Sequence, residues 1–138
     1  MIITEDPEAI RRVLVGSKTI AVVGCSPKPD RDSYQIAQYL IEKGYDVVPV
    51  NPGQKEILGR TCYPDVKSIP KKVDIVDVFR APEHIPPIAE DAVAAKAECL
   101  WLQTGIAHEE AAKKTSDAGL YVIQDRCIAT MHRVLVRK

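Results

Sequence analysis

One run constrains this chain more than any other: apolar, mostly β-branched residues that stop at a glycine, Thr19-Ile20-Ala21-Val22-Val23-Gly24. It continues through Cys25-Ser26-Pro27 and a polar loop into Ser33-Tyr34-Gln35-Ile36-Ala37-Gln38-Tyr39-Leu40, whose apolar residues recur at helical spacing. Strand, short loop and amphipathic helix together turn backbone N–H groups and a positive helix end toward a phosphate at the edge of a parallel α/β sheet. The loop is not G-x-G-x-x-G. The fold therefore points to nucleotide-like ligands, while the loop chemistry argues against the commonest of them.

The rest of the chain repeats the alternation. Asp6-Pro7-Glu8 reads as an N-cap, a proline at the first helical position and an acidic first turn, with Ile10, Val13 and Leu14 as an apolar stripe. A helix is predicted from about Ser33 to Lys43, ended by Gly44, with Asp32 or Ser33 as its N-cap. Asp46–Val50 is the second strand, and its Pro49 asks for a place where that N–H is not needed by a ladder. Gln54–Lys72 reads as loop, Val73–Phe79 as the third strand and about Pro87–Lys96 as a helix. Cys99–Gln103 is the fourth strand, about His108–Ala118 a helix, and Tyr121–Gln124 the fifth strand.

Strands alternating with helices over short loops predict βαβ units with right-handed crossovers. The expected fold is α/β: a single Rossmann-like domain over residues 1–138, with a five-stranded parallel sheet of order 3-2-1-4-5 and helices on both faces. A ligand then binds beyond the carboxyl ends of the strands, at a switch point between strands 1 and 4. The loops converging there are Gly24–Asp32, Asn51–Lys55, Arg80–Pro82 and Gln103–Ile106.

Dinucleotide recognition would need the three-glycine loop and an acidic residue about twenty residues on. Here the second strand ends in Asn51-Pro52, so NAD loses both signatures; a Walker A loop is absent as well. Lys28, Arg31, Lys55 and Arg80 all fall in or beside the ligand-facing loops, which suits a ligand with several phosphates better than one with a single phosphate.

Five motifs, each at the end of a strand and in this order, carry a family resemblance: Ala21–Ser26, Val50–Gly53, Asp77–Arg80, Leu100–Ile106 and Asp125–Cys127. Together they resemble the small stand-alone CoA-binding proteins, which are similar to the N-terminal domain of the succinyl-CoA synthetase alpha subunit. The resemblance implies coenzyme A or an acyl-CoA across the carboxyl edge of the sheet. It implies phosphate cradled by the backbone at Gly24, Cys25, Ser26 and Pro27 with help from Arg31. Val50, Asn51 and Pro52 would then sit against the adenosine portion, with Lys55 near its phosphates. Arg80 and Ala81 would border the nucleotide or the start of the pantetheine arm, and Gln103, Thr104, Gly105 and Ile106 would line that arm's path. The first loop has fewer glycines than the synthetases, and Gly53-Gln54-Lys55 replaces a glycine-lysine pair, which leaves the individual phosphate contacts open.

The synthetases' phosphohistidine domain and ATP-grasp module have no counterpart in these residues, and His84, His108 and His132 match no catalytic motif. Asp74 and Asp77 alternate with apolar residues and read as edge or face residues of a strand, not an acid/base pair. The expectation is binding without catalysis of its own, with enzymatic activity left undecided. The alternative is a small CoA- or nucleotide-dependent transferase, or a thiol redox protein using Cys25 or Cys127. Cys25 would suit the second role if the nearby helix end depressed its pKa, and free cysteines are otherwise mostly buried apolar residues. Trp101 reads as core or as the floor of the cleft.

Lys and Arg number 19, as do Asp and Glu, so no global field favours nucleic acid or an anionic membrane. Apolar runs are too short to span a bilayer, and Met1–Asp6 lacks a signal-peptide pattern, so a cytoplasmic location is expected. The four cysteines and three histidines show no zinc spacing, and no metal site is expected. The apolar tail Ile128–Val136 either covers the core or forms an interface with a protein partner or a second copy.

Overall fold

The computed structural model describes residues 1–136. Its main sheet contains β1 (Thr19–Val23), β2 (Asp46–Val50), β5 (Ile75–Val78), β6 (Cys99–Leu102) and β7 (Tyr121–Ile123), all parallel, in the spatial order β2-β1-β5-β6-β7. Two short strands, β3 (Glu56–Ile57) and β4 (Arg60–Thr61), form an antiparallel hairpin inside the stretch that reads as loop in the sequence.

The α/β class and the five parallel strands are as expected, but the strand order is not. In sequence terms it is 2-1-3-4-5, and the second strand, predicted inside the sheet, lies at its edge. Pro49 supplies the physical reason. The amide and carbonyl of one strand residue point the same way, and the Pro49 carbonyl accepts from the Tyr63 N–H at 3.1 Å on the side away from β1. An interior strand would need a donor there that proline lacks. The edge is instead covered by one bridge, with the Asn51 N–H donating to the Tyr63 carbonyl at 2.9 Å. The far edge is covered too: Ile2 pairs with Val122 of β7.

Helices α1 (Pro7–Gly16), α2 (Asp32–Glu42) and α5 (Ile128–Leu135) cover one face; α3 (Ile85–Ala94) and α4 (Glu109–Asp117) cover the other. Strand residues alternate between the two cores. Ile20, Val22, Ile75, Cys99, Trp101 and Ile123 face the first group, and Ala21, Val23, Val76, Val78, Leu100 and Leu102 the second. Asp6 caps α1 by accepting from the Ala9 N–H at 3.1 Å, ahead of Pro7 at the first helical position. The apolar tail forms α5, which packs on α1 and α2. Among the described residues no helix is long and apolar enough to cross a membrane.

The order of strands fixes the site. From β1 the chain passes through α2 to β2 on one side, then returns to β5 on the other. Right-handed connections therefore put α2 and α3 on opposite faces, and the crevice opens at the carboxyl ends of β1 and β5. The switch point is between the first and third strands, correcting the expected first and fourth.

Candidate functional site

Gly24 follows β1 with φ +84, in the left-handed region. A Cβ there would stand 2.8 Å from the Phe79 carbonyl oxygen and 3.0 Å from Arg80 Cδ, so the glycine lets the β1–α2 loop lie against the end of β5. The close approach at Gly24 is thus made by the chain itself. The Gly24 and Cys25 N–H groups both donate to the Val50 carbonyl, at 2.9 and 3.3 Å. The Ser26 N–H donates to Ser33 Oγ at 2.9 Å, and the Lys28 N–H to Ser26 Oγ at 3.1 Å. Ser33 therefore ties the loop to the helix from inside α2, and neither it nor Asp32 is the N-cap; Arg31 holds that position without a side-chain cap. What the loop leaves open to an anion is the Ser26 hydroxyl hydrogen and the first-turn amides of α2, which have no intrahelical carbonyl to bond.

Asn51 joins the loops after β1 and β2. Its Nδ2 donates to the Cys25 carbonyl at 3.0 Å, and its Oδ1 accepts from the Gly53 N–H at 2.9 Å. On the other side of the crevice, the Gly105 N–H donates to Asp125 Oδ1 at 2.6 Å, the Asp125 N–H to the Ile106 carbonyl at 3.1 Å, and the Ile106 N–H to the Gln103 carbonyl at 2.9 Å. The loop after β6 is a turn held by the segment that follows β7.

Two adjoining clefts result. The larger, about 410 Å³, is lined by Arg80, Ala81, Gln103, Thr104, Gly105 and Ile106, together with Asp32, Ile36, Phe79, Pro82 and Cys127. The smaller, about 350 Å³, takes in Gly24, Ser26, Asp30, Arg31 and Ser33, and shares Asp32 and Phe79 with the first. Pro27, Val50, Asn51, Pro52 and Lys55 line neither, and Cys25 lies buried beneath the loop. Lys28, Arg31, Lys55 and Arg80 have no carboxylate within ion-pair distance among the described residues, so four cations around the carboxyl edge are uncompensated.

The two strand aspartates part company. Asp74 accepts from the Lys18 and Thr19 N–H groups at 2.8 and 2.9 Å, clamping the start of β1 at the opposite end of the sheet. Asp77 lies on a face of the sheet but is fully buried there; it pairs with Gln103 Nε2, and burial pushes its carboxyl up to about 8. Asp32, Ile36 and Phe79 are cleft residues that sequence reasoning did not name as ligand contacts, and Cys127 was named only as an alternative thiol. Asp32 closes the first converging loop, Phe79 lies in the third motif and Cys127 ends the fifth, while Ile36 carried no signal. Burial likewise pushes the Cys25 thiol up to about 12, the opposite of a helix-activated thiol, and it pushes Cys99 up as well. Trp101 is core, its Nε1–H donating to the Arg126 carbonyl at 2.8 Å. His108 caps α4, its Nδ1 accepting from the Ala111 N–H at 3.1 Å. No three His, Cys, Asp or Glu side chains gather as a metal-holding group among the described residues.

Comparison with known proteins places this geometry. The uncharacterized protein YneT of Bacillus subtilis (strain 168) is 40% identical over 125 residues, covering 91% of this chain and 93% of that protein. The solved structure of a hypothetical protein from Pyrococcus horikoshii OT3 superposes with a TM-score of 0.94 at 42% identity, covering 99% of this chain and 97% of that one. The alpha subunit of the ADP-forming acetate–CoA ligase I of Pyrococcus furiosus is 37% identical over 84 residues, which is 56% of this chain but only 18% of that subunit. The model of the CoA binding domain family matches residues 18–133, every loop of the two clefts included, and the chain belongs to that family.

Proposed function

We propose that the chain binds coenzyme A, or an acyl-CoA, along the carboxyl edge of its sheet and contributes binding without catalysis of its own. The observation that carries this reading is the coincidence of a family match over residues 18–133 with two joined clefts lined by two unpaired cations, Arg31 and Arg80. The Ser26 hydroxyl, the α2 first turn and Arg31 take the diphosphate, and the Gly24–Pro27 backbone, its amides engaged within the chain, only shapes the loop that presents them. Val50, Asn51 and Pro52 border the adenosine portion, with Lys55 near its phosphates. Arg80 and Ala81 sit where the nucleotide gives way to the pantetheine arm, which runs along Gln103–Ile106.

A thermal-shift series against CoA, acetyl-CoA, NAD, NADP and ATP tests the reading, because a ligand that binds only the native state stabilises it by mass action. A shift selective for CoA or acetyl-CoA is expected. A shift with NAD, or none with either CoA or acetyl-CoA, would overturn it. Arg80→Ala should weaken CoA by roughly tenfold or more, the worth of a charge-assisted hydrogen bond, with little change in melting temperature.

One observation favours a second reading: Cys127 lines the larger cleft. Its thiolate attacking CoA disulfide would leave a protein–CoA mixed disulfide and release one CoA thiol. Cys25 is the weaker candidate, since it is sealed and its thiol is held protonated. Intact-mass measurement after CoA disulfide challenge tests this reading, and absence of an adduct on Cys127 removes it.

A further inference from the structure

Asp77 carries a carboxyl in the interior of the sheet, and the binding reading gives it no task. It stands in register between Val22 of β1 and Trp101 of β6, fully shielded from solvent. An aliphatic side chain would fill that place without the cost of burying a carboxyl. One oxygen accepts from Gln103 Nε2. The other, Oδ2, is the sole sealed side-chain oxygen or nitrogen without a partner among the described residues. Gln103 is 4% exposed, yet it lines the larger cleft. Its own Oε1 makes no hydrogen bond within the described chain, and because it is not among the sealed atoms it opens to the cleft.

An amide side chain has a donor end and an acceptor end, so whichever end Asp77 holds, the cleft receives the other. We propose that Asp77 is a positioning residue: it holds Gln103 by Nε2 and so presents Oε1 to the cleft as a fixed acceptor, which the ligand meets with an amide N–H of the pantetheine type. The identity of the ligand rests on the CoA reading; the positioning does not. An ionised carboxyl only accepts, which fixes the amide in the orientation seen. A protonated one can donate to Oε1 and turn Nε2 outward, so the polarity that Gln103 shows the cleft follows one proton. The titratable groups facing Asp77 are Cys25, from the loop after β1, and Cys99 on β6. Burial holds both thiols protonated well above neutral pH, and it pushes the Asp77 carboxyl up to about 8.

Two measurements decide the matter. On the free protein, NMR should show the Asp77 carboxyl carbon titrating near pH 8 with the Gln103 side-chain amide moving at the same midpoint; independent midpoints, or an immobile amide, overturn the positioning. By calorimetry with CoA at about pH 8.5, Gln103→Met should weaken binding about tenfold. Asp77→Leu should weaken it several-fold with Gln103 present and hardly at all in the Gln103→Met background, while Asp77→Asn, which can donate to Oε1 as the protonated carboxyl does, should fall between the parent and Asp77→Leu. Gln103→Met binding within about twofold of the parent, or equal losses from Asp77→Leu in both backgrounds, overturns the ligand contact. Failure of the parent protein to bind CoA refutes the CoA reading alone, and the NMR titration then decides the positioning.

Discussion

Gly24→Ala is the most searching single test of how this site is built. Two costs add at that position. An L-residue held at φ +84 costs about 1–2 kcal/mol relative to glycine. The new methyl would also stand 2.8 Å from the Phe79 carbonyl oxygen and 3.2 Å from its carbon, both backbone atoms that cannot swing aside. Forcing an extra carbon into a close-packed place typically costs about 1–3 kcal/mol. Their sum is about 2–5 kcal/mol, or roughly 6–15 °C in melting temperature for a chain of this size. Gly44→Ala separates the two costs, because Gly44 has φ +96 but nothing within 4 Å of its Cβ position. Urea melts of both variants should show Gly44→Ala losing only the backbone share and Gly24→Ala losing about 1–3 kcal/mol more. If the two variants are equally destabilised, the contact between the first loop and the end of β5 is not what demands glycine, and the account of the crevice fails.

Asp77→Asn should raise stability at about pH 8.5, where the parent buries an ionised carboxylate and the amide carries no charge. The folded carboxyl titrates near 8 and the unfolded one near 4, so its contribution is full below about pH 4 and is lost as pH rises toward 8; the variant should lack that slope in denaturation midpoints. His132 acts in the opposite sense. Burial, with Lys43 nearby, holds its folded pKa below 6.5, so its contribution is present above that value and falls away as the pH drops below it. His132→Phe should flatten that acid slope in melts between about pH 7 and 5, at a cost of about 1 kcal/mol for the lost 2.9 Å hydrogen bond to the Tyr39 hydroxyl. Alkylation followed by mass spectrometry should modify Cys127 well before Cys25 or Cys99, which are sealed; prompt labelling of Cys25 would contradict its burial.

The elements were legible where local chemistry and tertiary need coincide. Asp6-Pro7 opens α1 as read, because a cap and a first-turn proline act within four residues. The strand order was not, although Pro49 held the clue: an orphaned carbonyl would have faced its nitrogen in an interior strand. The hairpin over residues 56–61 is too short for any periodicity to reveal. Within the site, Arg80, Gln103 and Gly105 could be read from strand ends, since topology delivers every such loop to one edge. That the Gly24 and Cys25 amides are engaged by Val50 could not, because the partner lies a strand away. Nor could the fate of Asp77 be read, since alternation assigns a face without saying how deeply it is covered.

The bridge between Ile2 and Val122 also bears on the order of assembly. Close by, the Thr4 hydroxyl accepts from the Gln124 N–H at 3.0 Å, across a sequence separation of 120. Contacts of such span carry the largest loop-closure entropy and form late. That span favours an order of assembly in which the opening segment pairs with β7 last and locks the far edge of a sheet already built.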